Sequence, residues 1–201
     1  VLQGKNSNYD TDVFRPIINS LESISNKKYI SGNSDDSQNK VNIAFRVIVD
    51  HLRAVSFSIT DGQLPSNTGA GYVIRRILRR AIRYGYQFLD LKEPFIYQLV
   101  PSLVNNFEGI FNEISLQEDF IKKIIQEEET SFFRTLSSGI KRMEEIVKSQ
   151  KKQLKNTVSG QLAFELYDRY GFPLDLTQLI ASENKLKIDI VEFEKCLNEQ
   201  K

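Results

Sequence analysis

The chain has 201 residues, 40% of them hydrophobic, with 13 Phe, 8 Tyr and a net charge of +1. That supports one large domain, or one domain with a small appendage, and excludes a generally basic nucleic-acid coat, so any attraction to an anionic partner is local. The lone Cys196 rules out an internal disulfide and fits a reducing compartment, and no apolar run approaches the roughly 20 residues of a membrane span. The chain opens at Val1 and its only Met is Met143, so it reads as a piece cut from a longer protein.

Residues 1–10 read as a helix tail entering a polar loop. Asp10, Thr11 and Asp12 offer N-caps for a helix to about Ser23, with Val13, Phe14, Ile17, Ile18 and Leu21 on its apolar face and Pro16 in its first turn. Residues 31–40 are polar and unpatterned, which predicts an exposed, mobile loop. Residues 41–59 place Val41, Ala44, Phe45, Ile48, Leu52, Val55 and Ile59 at helical spacing, the pattern of a core helix. Arg46, Asp50 and Arg53 form a charged strip on it, close enough to pair. The turn-rich stretch from Thr60 to Gly69 leads into the next element.

That element, Gly71 to Gly85, holds five arginines, no lysine and no acid. At roughly 100° per residue, Arg75, Arg76, Arg79, Arg80 and Arg83 fall within an arc of roughly 140°, and the apolar residues fill the rest. Guanidinium forks suit phosphate, whereas a merely solvated face usually mixes in lysine and glutamate. The competing reading is an internal ion-pair seam against the Glu127–Glu129 run or Asp50. Gly85 is placed as the helix C-cap.

Pro94 and Pro101 bracket a short apolar segment, and from about Phe111 to Ser149 the pattern is helical throughout. A basic linker, Lys148 to Thr157, precedes a helix from Gly160 to Tyr170 that Gly171-Phe-Pro173 stops. Two short helices, about 175–184 and 189–199, finish the chain. Nothing reads as a sheet, so the predicted class is all-α, an irregular helical bundle with a small C-terminal helical subdomain. Its predicted parts are residues 1–10 as the tail of a preceding domain, 11–155 and 156–201.

Catalytic chemistry is sparse. His51, the single histidine, sits mid-helix without a second ligand and reads as a core histidine. No CxxC, HExxH, Walker loop, GxGxxG or GxSxG occurs, so no catalytic or metal residue is assigned. Two polar residues stand out. Asn67 lies at the entrance to the arginine helix, where an N-cap or turn role is the alternative. Asp168 falls in the last turn of its helix, where the dipole disfavours an anion, although a pairing with Arg169 or another arginine would explain it.

The blocks Val1 to Asp12, Arg46-Val-Ile-Val-Asp-His-Leu-Arg53, Asp61-Gly-Gln-Leu-Pro-Ser-Asn67, Gly71 to Arg83 and Leu166 to Thr177 resemble the alanyl-tRNA synthetase family, in its order and with similar spacing. The resemblance covers most of the chain. It implies the helical domain that receives the tRNA acceptor stem, with residues 1–10 as the tail of a class II catalytic core. ATP with Mg, and a zinc-containing editing domain, are implied for the full-length enzyme and no cofactor for this piece. The implied partners are the tRNA(Ala) acceptor stem and the catalytic and editing domains of the same chain, in the cytoplasm and without a membrane. The implied role is to read the G·U wobble pair of that stem. Asn67 and Asp168 fall at the base-contacting positions, and Arg75, Arg76, Arg79, Arg80 and Arg83 are left to grip phosphates. Thr68-Gly-Ala70 replaces more polar residues of some family members. The rival readings are a stand-alone helical nucleic-acid-binding module and a protein-interaction domain.

Overall fold

A computed structural model describes residues 3–32 and 35–200. Val1 and Leu2, in the expected helix tail, Asn33 and Ser34, in the expected loop, and Lys201 lie outside the described residues. Nine α-helices, two 3-10 turns and one pair of two-residue strands account for the regular structure among them, so the all-α class holds. The described backbone packs as two compact units, and the division along the chain falls between Ser131 and Phe132.

In the first unit, α1 (Arg15–Ser25) starts later than the cap pattern predicts. Residues 8–10 form a single 3-10 turn capped by Ser7, and no side chain caps α1, whose second position is Pro16. The helix tail expected before that turn is absent from residues 3–7. α2 (Asp36–Thr60) begins inside the expected loop, because the Asp35 carboxylate accepts from the Gln38 N–H at 2.7 Å and closes the first turn. Its buried stripe, Phe45, Ile48, Val49, Leu52, Val55 and Ile59, is the core of the unit. Arg46 and Arg53 lie over rings, at 5.5 Å from the Tyr29 centroid and 5.6 Å from that of Phe14, and no ion pair with Asp50 occurs among the described residues.

α3 (Gly69–Phe88) makes its most extensive packing against α2, through buried Ile74, Leu78, Ala81 and Ile82. It runs past Gly85 to a cap at Leu89. Gly85 is therefore interior, and its role is close approach: a Cβ there would lie 2.2 Å from the Phe95 ring. A 3-10 turn (Ile96–Leu99) leads into α4 (Val100–Asn106), then α5 (Asn112–Leu116) and α6 (Glu118–Lys152), so the long helical pattern is two helices separated by Gln117.

The second unit starts within α6 and continues through β1 (Thr157–Val158), α7 (Gly160–Tyr170), α8 (Leu174–Glu183), β2 (Lys187–Ile188) and α9 (Ile190–Glu199). The last three helices match the predicted spans within a residue or two. The parallel pairing of β1 with β2, Thr157 opposite Lys187, is the one piece of sheet the sequence pattern does not reveal. Two residues are too few to show a period of two. Ser159 and Asp189 cap α7 and α9, while Gly171 ends α7 in the left-handed region at φ 64°. Phe172, fully buried, packs on Phe132 with ring centroids 5.8 Å apart and fills the space over Gly139.

Candidate nucleic-acid interface

The loop before α3 is folded back on the first turn of the helix. The Ser66 N–H donates to the Gly71 carbonyl at 3.0 Å, and the Ser66 hydroxyl donates to the Thr68 carbonyl at 2.8 Å. A side chain at residue 71 would meet the Leu64 carbonyl at 2.3 Å, so the contact requires glycine. Thr68, not Asn67, is the N-cap residue, and its side chain makes no cap bond. Asn67 stands exposed one position earlier, with its Oδ1 accepting from Arg75 Nη1.

The five arginines do not form one open sheet. Arg79 donates from Nε and Nη2 to Glu128 Oε1 at 2.9 and 2.7 Å, and Arg75 Nε lies 3.0 Å from the same oxygen. The internal seam therefore exists, and it involves two of the five. Arg83 is 1% exposed, bonded to Gln87 and set 5.3 Å from the Tyr84 ring, so it does not face solvent as the helical projection predicts. The projection fails there because the end of α3 is enclosed on all sides, with Ala81 to Gly85 all buried. Arg76 and Arg80 are half-buried, Arg76 with its guanidinium 5.8 Å from the Tyr72 ring. α3 itself carries five arginines and no acid.

Arg80 has a further neighbour. His51, on α2, is half-buried, and desolvation, helped by the Arg80 charge and opposed by Asp50, pushes its pKa from 6.5 down to about 4. It is a neutral packed histidine at pH 7. Beside Glu128, Glu129 is fully buried and accepts from the backbone N–H groups of Phe95, Ile96 and Tyr97 at 2.9, 2.9 and 3.1 Å. Burial raises its pKa from 4.5 to about 7, against the lowering effect of those three bonds. The two adjacent glutamates divide the work: one holds arginines of α3, the other ties the 3-10 turn to α6.

In the second unit, Asp168 lies in the last turn of α7 and is exposed. Its Oδ1 accepts from Gln200 Nε2 at 2.9 Å, and neither Arg169 nor another arginine pairs with it among the described residues. Gln200, 32 residues away in sequence, carries no motif that marks it as this partner. Among the described residues no three His, Cys, Asp or Glu side chains gather as a metal site. No helix of the described residues is long and apolar enough to cross a membrane.

The first unit thus carries a helix of five arginines entered through an exposed amide, and the second unit carries an exposed carboxylate. The sequence model of the tRNA synthetases class II (A) family matches residues 1–201. The chain is 55% identical over 203 residues to the alanine–tRNA ligase of Flavobacterium psychrophilum, and 55% over 201 residues to that of Christiangramia forsetii. It is 52% identical over 200 residues to that of Cytophaga hutchinsonii. Each alignment takes in 100% of this chain and 22% of the relative, so the chain spans about a fifth of the length of the curated relatives it matches. A family match along the whole chain settles its descent: it belongs to the class II (A) tRNA synthetases.

Proposed function

We propose that the chain is the acceptor-stem-recognition part of an alanine–tRNA ligase, an enzyme that joins alanine to tRNA(Ala) using ATP, and that it reads a G·U wobble pair. The observation that carries this reading is α3, a helix with five arginines and no acid, entered through an exposed Asn67 that one of those arginines holds. Arginine contacts to phosphate give affinity but little sequence information, so the identity of the stem falls to other groups. A wobble pair leaves the guanine exocyclic amine without a pairing partner in the minor groove, and that groove in RNA is wide and shallow enough for short side chains. Asp168 accepts from the amine, and Asn67 bonds across the pair. Of the arginines, Arg80 serves as a phosphate contact, since Arg83 is enclosed and Arg75 and Arg79 are held by Glu128.

Binding to acceptor minihelices tests the reading. The chain binds a G·U minihelix more tightly than a G·C one, and Asp168→Asn narrows the difference. Arg80→Gln weakens both stems alike and lowers the slope of log affinity against log salt. The same recognition is expected to show in the charging rate of the longer enzyme, which the chain is not expected to catalyse alone. A second reading, a protein-interaction domain, draws on the internal pairing of Arg75 and Arg79 with Glu128. It predicts no minihelix binding even at low salt.

A further inference from the structure

We infer that Glu128 and Arg75 form a positioning relay that fixes Asn67 as a hydrogen-bond donor toward RNA. The inference rests on the reading of Asn67 as a base contact, and adds which half of its amide reads and what holds it in place. Arg75 Nη1 donates to Asn67 Oδ1. A guanidinium has donors and no acceptor, so the amide atom it meets is the oxygen, and a flipped amide would set N–H against N–H. Asn67 has no other side-chain hydrogen bond among the described residues, which leaves Nδ2 directed to the outside.

Arg75 is itself held. Its Nε forms an ion pair with Glu128 Oε1 at 3.0 Å, without a hydrogen bond, and that oxygen receives two hydrogen bonds from Arg79. Glu128 is 8% exposed, where charge pairing is screened far less than at the surface. It stands one residue from Glu129, whose three backbone bonds anchor this stretch of α6. The order of support therefore runs from an anchored helix, through a shared carboxylate and a planar guanidinium, to an exposed amide. The Ser66 to Gly71 backbone bond fixes the loop from its other side.

Two consequences follow. With Oδ1 turned to Arg75, Asn67 presents its Nδ2 donors to the outside, so its target is an acceptor in the minor groove, a uracil O2, a guanine N3 or a ribose oxygen. Arg75 in turn leaves the set of phosphate contacts and becomes a positioning residue.

The experiment pairs side-chain amide ¹⁵N relaxation of Asn67 with affinities for G·U and G·C minihelices, in the 201-residue chain. Arg75→Met is expected to loosen the Asn67 amide and reduce the G·U preference roughly tenfold, while the salt slope stays unchanged. Arg75→Lys restores part of both, and Glu128→Gln gives a weaker form of the same loss. In an Asn67→Ala background, Arg75→Met costs no further preference. Asn67→Asp keeps an oxygen for Arg75 but removes the donor, so it loses as much preference as Asn67→Ala. An unchanged amide after Arg75→Met, or a salt slope reduced by about one with preference intact, overturns the relay and returns Arg75 to the phosphate contacts. A loosened amide with the G·U preference intact in both Asn67→Ala and Asn67→Asp overturns the base-reading role of Asn67 instead, and with it the relay's purpose.

Discussion

The acids on α6 and the acid on α7 sit in opposite physical settings. Glu128 and Glu129 are buried and between them engage two arginines and three backbone N–H groups, whereas Asp168 is exposed and takes one bond from Gln200. Carboxylates in this chain therefore have two roles. On α6 they build the surface, holding α3 and the loop before it in one geometry. On α7 the carboxylate is left at the surface with one hydrogen bond from Gln200.

The largest effect expected from breaking this contrast comes from Glu129→Ala. Three backbone donors would lose their acceptor, and buried unsatisfied groups cost about 1–3 kcal/mol each, partly relieved by entering water. A loss of about 3–5 kcal/mol in urea denaturation is expected. Glu128→Ala follows, with a loss of about 1–3 kcal/mol, because the guanidinium groups it leaves are partly hydrated already. Asp168→Asn is expected to leave stability within about 0.5 kcal/mol of the parent while costing about 1–3 kcal/mol of discrimination between G·U and G·C minihelices. A destabilised Asp168→Asn would erase the contrast.

Two titrations sharpen it further. Glu129 has a folded pKa above its unfolded value, so the native state holds a proton that the unfolded chain releases between pH 4.5 and about 7. Its contribution to stability is full below that window and is lost as pH rises through it. His51 runs the other way: its pKa falls from 6.5 to about 4, so its contribution is full above pH 6.5 and is lost as pH falls toward 4. The two slopes oppose one another between pH 4.5 and 6.5. Thermal melts should therefore show Glu129→Gln steepening the loss of stability on acidification, and His51→Gln flattening it.

Much of this was legible in the sequence. The stop at Gly171-Phe-Pro173 and the helices on either side follow from local rules, and the structure matches them closely. The arginine helix and its entrance were equally plain. What the helical projection missed was the fate of individual arginines, because angle around an axis does not say what packs over each sector. Arg83 looks outward by periodicity and is enclosed by the end of α3 and its surroundings. The sharing out of the Glu127–Glu129 run carried a signal that went unused. Glu129 lies four residues after Ile125 and three before Phe132, on the buried stripe itself, so its burial was predictable from spacing. The Gln200 contact to Asp168, and the β1–β2 pair, were not predictable, since both join distant residues through the packing of the second unit.

In the proposed function Asn67 and Asp168 set the preference for G·U while arginines of α3 supply affinity. The most direct test is the ratio of affinities for G·U and G·C acceptor minihelices at one fixed salt concentration, measured for the parent chain and for Asn67→Ala/Asp168→Ala. The account predicts a ratio of about ten or more for the parent, falling to about one in the double variant. Equal affinities in the parent, or a preference for G·U that survives the double substitution, would contradict it.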